Sequence, residues 1–267
     1  MHPPLPKSYK GLYPFKLGTT SYIYPAGYTR NVKMLAPYVD EIELLLFESA
    51  PDSLPSNHEI KKLLSLSKEF DLTYNVHLPT DISLSDPDPS IRHAAVETLK
   101  KVMDITTSLC PSTYTLHLSY DEKKSGPPNI KNWQERVYSS VKQFIATGIN
   151  PEMISIETLT YSMEWVESIL NDFNLSVCID LGHLMLYGLD METVFSRYHH
   201  RTSIIHLHGV ENRKDHLSLD RLSKEKLVSV MEILKRFNGV VSLEVFSYSH
   251  LKDSLQFLEK LWYNRPA

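Results

Sequence analysis

The sequence predicts a single-domain α/β protein folded as a (β/α)8 TIM barrel. Short apolar runs with strand character alternate with amphipathic helical stretches along the chain. Six of these runs close on a His or an acidic residue. They are TYNVHLP (His77), YTLHLS (His117), MISIET (Glu157), LSVCIDLGH (Asp180, His183), SIIHLHG (His206, His208) and VVSLEVF (Glu244). One strand and its return helix take about 30 residues in such a barrel, and its active sites lie at the strand C-termini. The spacing of the six sites fits that unit, so six strands aim metal-ligand chemistry at one mouth. The length, 267 residues, is that of one such barrel.

The elements follow in order. MHPPLPKSYKGLYPF carries four prolines and is expected to be a surface arm over residues 1–14, leaving 15–265 as the barrel domain. FKLGTTSY (15–22) and EIELLLF (41–47) are the first two strands, and the six runs above are the third to eighth. The first helix falls between Asn31 and Tyr38. NHEIKKLLSLSKEF (57–70) repeats apolar residues at helical spacing after Asn57, a candidate cap. DPDPSIRHAAVETLKKVMDITTSL begins with Pro near a helix N-terminus, and IKNWQERVYSSVKQFIATG ends in Gly148, a candidate C′ residue. SMEWVESILNDF, DMETVFSRYHH, SKEKLVSVMEILKRFNG and SYSHLKDSLQFLEKLW supply the remaining helices, with Ser caps before MEW and KEK. YDEKKSGPPNI (120–130), with Lys123 and Lys124, is a polar loop. An open doubly wound sheet fits the alternation too. It gathers ligands at one switch point, whereas the ligand series here needs all the strand ends around a single mouth.

Composition narrows the class. Hydrophobic residues make up 42% and charged residues 22%, as in ordinary globular proteins. The net charge of −4 does not favour a general nucleic-acid binder. Cys110 and Cys178 have neither zinc-motif nor redox-pair spacing, and both are expected to pack in the core. With no signal-like start and no run near the roughly 20 apolar residues of a membrane span, a cytoplasmic setting is expected. Trp133, Trp165 and Trp262 lie in helical patterns and read as outer-layer packing.

Side chains two apart on a strand share a face. That pairs Asn75 with His77, Cys178 with Asp180, and His206 with His208. Buried His and carboxylate groups need a partner or a metal. A Cys-free His/Asp/Glu set suits zinc first, with manganese, cobalt or iron(II) compatible. Any one such residue is more often a structural hydrogen-bonding group, but six at matching strand ends make a metal site. Glu157 lies between a His77/His117 group and an Asp180/His206/Glu244 group and could bridge two ions. Ions about 3.5–4 Å apart can activate water and stabilise a displaced oxygen. In DLGH, Asp180 ends a strand, Gly182 permits a tight turn and His183 re-enters the site. Its plain alternative is a βα turn capped by Asp. Lys214, Asp215 and His216, in ENRKDHLSLD, could complete a metal site, bind substrate or lie in a solvated loop. Thr20, Asp81 and His208 are further substrate-binding candidates. Glu43 and Glu48 are weak candidates for the mouth.

The order His77, His117, Glu157, Asp180–His183, His206, His216, Glu244 resembles endonuclease IV (AP endonuclease family 2) and its sugar-isomerase relatives, the xylose isomerase-like TIM barrels. The likeness covers nearly the whole chain, including DLGH, HLHG and LEVF. It implies that His77, His117 and Glu157 bind one metal and that Glu157, Asp180, His206 and Glu244 bind a second. In the nuclease a third metal uses the His of Asp-x-x-His with an Asp-x-His pair. His183 and His216 match, but Lys214 stands where the paired Asp is expected and Asp215 falls one residue late. Two ions are therefore implied, or three if this last group completes a site. The isomerases generally lack the His77/His117 pair. LPTDISLSDPDPSIR, acidic and without aromatics, departs from the nuclease's duplex-wedging loop, and Asp81, Asp86 and Asp88 would repel DNA.

A narrower resemblance joins KLGTTSYIYP, DEIELLLFES, LTYNVHLPTDISLSDPDPSIR and YTLHLS to the cobamide-remodelling phosphodiesterases. It implies hydrolysis of the phosphoester in the nucleotide loop of a cobamide, with a corrinoid as the small-molecule partner; Glu157 and Glu244 are the candidate catalytic carboxylates. The alternatives are a one-metal sugar isomerase or epimerase with a Glu157/Glu244 proton shuttle, an AP endonuclease, and a non-catalytic corrinoid or sugar-phosphate binding protein.

Overall fold

A computed structural model of the chain describes residues 3–120 and 126–263. Seven strands come first: β1 (Lys16–Thr20), β2 (Glu41–Leu45), β3 (Thr73–His77), β4 (Tyr114–Leu116), β5 (Ile154–Glu157), β6 (Ser176–Asp180) and β7 (Thr202–Leu207). A hairpin of β8 (Gly209–Glu211) and β9 (Lys214–Leu217) follows, and then β10 (Val240–Leu243). Strands β1–β7 and β10 form a closed parallel barrel. Closure is made by β1, which pairs Thr19 with Leu243 on one side and Thr20 with Glu43 on the other. That double pairing excludes the open sheet.

The outer layer among the described residues is α1 (Tyr28–Leu35), α2 (Asn57–Phe70), α3 (Pro89–Thr106), α4 (Pro127–Ile145), α5 (Glu167–Asp172), α6 (Leu181–Tyr187), α7 (Met191–Tyr198), α8 (Lys224–Lys235) and α9 (Tyr248–Tyr263). Several local expectations shift. Helix α1 starts three residues earlier than expected, because the buried Asn31 accepts from the amides of Ile23 and Tyr24 and donates to the carbonyls of Tyr24 and Ala26. Ser56, not Asn57, caps α2, in a reciprocal capping box with Glu59. Asp88 caps α3 with Pro89 in its first turn. Helix α4 is capped at Ala146, with Gly148 two residues further on at φ +91°. The short α6 has no counterpart in the sequence-based reading. The loop expected over 120–130 has residues 121–125 outside the described set, Lys123 and Lys124 included.

The N-terminal segment is not a free surface arm. Leu5, Tyr9 and Tyr13 are buried, and Tyr13 stacks on Phe15 and meets Trp262 edge-on. Trp133 is also fully buried, its indole N–H donating to the Ser119 carbonyl. Cys110 is exposed, contrary to the core role expected of it, at φ +49°. Cys178 does pack inside, against Ile204 and Val240. Among the described residues no helix is long and apolar enough to cross a membrane.

Strand alternation divides the chemistry. Outward residues such as Leu17, Ile42, Tyr74, Ile156, Ile179 and Leu243 join the main apolar core with the helices. Apart from the patch of Cys178, Ile204 and Val240, many inward residues are polar where such barrels usually carry Val, Ile and Leu. Below the mouth, Glu41 accepts from Thr73 (2.5 Å), Asn75 (3.0 Å) and Ser112 (2.5 Å). A carboxylate at 0% exposure survives there because donors replace its water. This polar column directs the inward face toward the C-terminal mouth, where the remaining His and acidic groups collect.

Candidate metal centre

The last inward residues of six barrel strands, or those just beyond them, converge. Glu157, at the end of β5, is the hub. Its Oε2 lies 3.2 Å from His77 Nε2 and 2.9 Å from His117 Nε2. Its Oε1 lies 3.3 Å from His183 Nδ1 and 3.8 Å from His206 Nδ1. The two oxygens thus divide between two sets of imidazoles. His77, His117 and Glu157 bring one ligand atom each within 4.8 Å of one another, and so do Glu157, Asp180, His206 and Glu244. These are the two groups expected from the sequence.

Asp180 caps a helix and also faces the cluster. Its Oδ1 accepts from the His183 amide at 2.8 Å and caps α6, while Oδ2 faces His183 Nδ1 at 3.2 Å. Gly182 has a different reason from the expected turn. A Cβ there would stand 2.0 Å from the His208 ring, so glycine clears room for that imidazole.

The third group differs from expectation. His183 and His216 are joined by His208, not by Lys214 or Asp215. His208 is fully buried, with Nε2 3.3 Å from Asp180 Oδ1. It stacks on His216 at 4.2 Å and accepts the His216 amide proton at Nδ1. It thus lies buried among the other donors of the cluster. The anticipated loop is the β8–β9 hairpin, whose turn residues Asn212 and Arg213 both have positive φ, as tight hairpin turns require. His216 is itself held at φ +52°. Lys214 is exposed on the hairpin, and Asp215 Oδ1 lies 3.2 Å from His216 Nδ1, orienting that ring.

Two further candidates have local partners. Thr20 donates to the Val245 carbonyl at 2.9 Å, so its hydroxyl is committed to closing β1 onto β10. Asp81 accepts from the Ser49 amide and hydroxyl and ties two loops together outside the cluster. Glu43, a weak candidate by sequence, is central: its Oε1 lies 2.9 Å from His206 Nε2, and Ser242 donates to its Oε2 at 2.8 Å. The His206 contact is close but off the bond direction, since neither atom completes a hydrogen bond. Glu48 stays at the rim, accepting from Ser53. The alternation that places Glu43 above Glu41 was the available signal. Phe47 and Phe246, just past β2 and β10, carried none. Phe47 meets His77 edge-on at 4.8 Å, and Phe246 stacks on His216 at 4.7 Å.

The donors fit divalent cations. Asp180 Oδ2, His206 Nδ1, His208 Nε2 and Glu244 Oε2 are buried with no hydrogen-bond partner among the described residues. Each such atom left unsatisfied costs roughly 1–3 kcal/mol, which a cation in their midst would offset. Burial alone would raise the Glu157 carboxyl. Instead His117 and His206 hold it well below the usual carboxylate range, and His206 and His216 do the same for Glu244. Burial opposes charge on His183, yet Asp180, Glu157 and Glu244 push it up to about 10. His216 rises to about 9 against burial, through Glu244, Asp180 and Asp215. The carboxylates thus attract positive charge strongly enough to overcome desolvation. Burial pushes the Cys178 thiol up, so it remains a neutral neighbour of His206.

The family model described as xylose isomerase-like TIM barrel matches residues 39–261. By sequence, no curated protein matches the chain. Among solved structures, a D-tagatose 3-epimerase-like protein superposes with a TM-score of 0.77 at 18% identity, covering 93% of this chain and 97% of its own. D-psicose 3-epimerase from Clostridium cellulolyticum gives 0.71 at 16%, covering 93% and 99%. Endonuclease IV from Thermus thermophilus gives 0.68 at 17%, also covering 93% and 99%. At these identities the likeness is one of fold.

Proposed function

The chain belongs to the xylose isomerase-like TIM barrel family, and from that premise we propose that it is a metal-dependent phosphodiesterase acting on a small phosphoester, with the nucleotide loop of a cobamide as its substrate. One observation carries the hydrolase reading. Glu157 presents one oxygen to His77 and His117 and the other to His183 and His206, the arrangement of a carboxylate shared by two cations. Two bound cations about 3.5–4 Å apart would activate a water and neutralise charge on the attacking and leaving oxygens.

The chain's own residues then have distinct tasks. Glu157 fixes the separation of the two donor sets. His77 and His117 make the set that a one-metal enzyme does not need. Glu43 holds the far side of the His206 ring, which aims Nδ1 at Glu157 and Glu244. Glu244, the second carboxylate beside His206 Nδ1, is our candidate to take a proton from the attacking water. The corrinoid assignment rests on the sequence resemblance. A small-molecule substrate also suits the acidic rim. Asp86 accepts from the Asp88 amide and Asp88 caps α3, with Arg92 beside them donating to the Asp86 and Pro87 carbonyls.

Metal-loaded enzyme incubated with an adenosylated cobamide should release the severed loop, seen by chromatography. No product with zinc, manganese, cobalt or iron(II) would sink the substrate assignment. A second reading, a sugar epimerase, is favoured by Glu157 and Glu244 flanking His206 Nδ1 at 3.8 and 3.3 Å, as a proton shuttle around one ion would need. One bound ion per chain, with activity intact in His77→Ala, would establish that reading in place of ours.

A further inference from the structure

Beside the donor cluster lies a cavity of about 560 Å³, lined by Tyr22, Ala26, Gly27, Tyr28, Phe47 and Phe246 together with Ser21, Leu45, Glu48 and Ser53. The size is that of a small-molecule site. The cavity adjoins the cluster, because two of its walls are also packed on candidate ligands: Phe47 on His77 and Phe246 on His216. Those two rings meet each other edge-on at 6.4 Å and form the partition between the compartments.

Charge separates the compartments sharply. The cavity lining has no Lys, Arg or His, and Glu48 is its one ionisable carboxylate. An anion has nothing to hold it there. The wall is also built in advance of any ligand. Asn31, fully buried, pins residues 23–26 through four side-chain hydrogen bonds, and Tyr28 donates to the carbonyls of Leu45 and Ser53. Tyr22 stands at the rim with 62% of its surface exposed, a large ring that lacks cover.

We propose that this cavity is a specificity subsite for a flat, uncharged aromatic group carried by the phosphoester, seated between the Tyr22, Tyr28, Phe47 and Phe246 rings while the phosphoryl group sits at the donor cluster. The inference rests on the phosphodiesterase reading and adds the class of the organic group. Aromatic faces reward a planar apolar partner through buried area and ring contacts. They offer less to a sugar, whose hydroxyls gain nothing from the ring faces and have only the few polar groups of the lining to replace water.

The test compares two non-cleavable probes on the zinc-loaded full chain by titration calorimetry: 2-naphthylmethylphosphonate and methylphosphonate. The naphthyl compound should bind about tenfold tighter or more. Gly27→Phe projects into open space with no backbone strain, since Gly27 has φ −67° and an added Cβ meets nothing within 4 Å. It should reduce the preference to near unity. Tyr22→Ala, at an exposed position, should reduce it severalfold and covers the case in which Gly27→Phe fails to fold. Equal dissociation constants in the wild type, or no binding of the naphthyl probe, overturn the subsite. Retained naphthyl preference with no phosphoester turnover would uphold the subsite and remove the hydrolase reading, so the two fail separately.

Discussion

Glu43 Oε1 stands 2.9 Å from His206 Nε2, on the side of the imidazole opposite the Nδ1 that faces Glu157 and Glu244. The pair joins β2 to β7 across the barrel. It sets one ring nitrogen against a carboxylate and turns the other toward the acidic groups of the mouth. A carboxylate this close to a ligand ring favours the orientation that keeps its nitrogen nearby, and tightening to a hydrogen bond would raise the ring's basicity.

Glu43→Gln should therefore weaken divalent-metal binding by about 10–100-fold, the usual cost of losing such a partner. The Ser242 hydrogen bond can persist to the amide oxygen, so the fold should hold. Competition with a chromogenic chelator reads the affinity. An unchanged constant would show that His206 is positioned without Glu43.

Glu157→Ala removes the shared carboxylate from four imidazoles. Metal content measured by mass spectrometry should fall from two ions per chain to one or none, and phosphoester turnover should disappear. A buried pair that loses one partner also costs about 3–5 kcal/mol, so the melting temperature of the metal-stripped variant should drop as well. Two ions retained would remove Glu157 from the bridging role.

Gly182→Ala places a methyl group where the His208 ring lies, and the ring must move because its edge is 2.0 Å away. Overpacking of this kind costs about 1–3 kcal/mol. The third donor group, His183, His208 and His216, should lose metal before the other two do. A crystal structure of the variant with the His208 ring unmoved would contradict this account.

In the metal-stripped protein His183 and His216 carry raised pKa values, about 10 and about 9, against 6.5 for a free imidazole. A raised folded-state pKa stabilises the fold fully below pH 6.5, and that stabilisation is lost as pH climbs through 9 to 10. Thermal stability of the stripped protein should accordingly fall from neutral pH toward pH 10. The added stability from zinc should grow over the same interval, because protons and metal compete for the same nitrogens. A zinc increment independent of pH would show that these two imidazoles are not displaced by metal.

Much of the site could be read from the chain because strand alternation is a strict rule. Once TYNVHLP, MISIET and SIIHLHG are strands, His77, Glu157 and His206 must lie at their C-terminal ends, and parallel closure must bring them together. The local bonds of Thr20 and Asp81 could not be read in the same way, because a hydroxyl or carboxylate near a mouth has many possible partners. Val245 and Ser49 claimed theirs. Segment 1–14 failed because its prolines suggested exposure, while Leu5, Tyr9 and Tyr13 had apolar surface to bury.

The sequence by itself determined the barrel and the gathering of His77, His117, Glu157, Asp180, His206 and Glu244 at its mouth, since each follows from periodicity and from residues lying at the ends of parallel strands. Only the tertiary structure decided that Glu43 backs His206, that His208 takes the place sought for Lys214 or Asp215, and that Phe47 and Phe246 wall off an aromatic cavity. These depend on ring rotation and on contacts between β2, β7, β10 and the β8–β9 hairpin. Such contacts form when the barrel closes, and no local pattern along one strand encodes them.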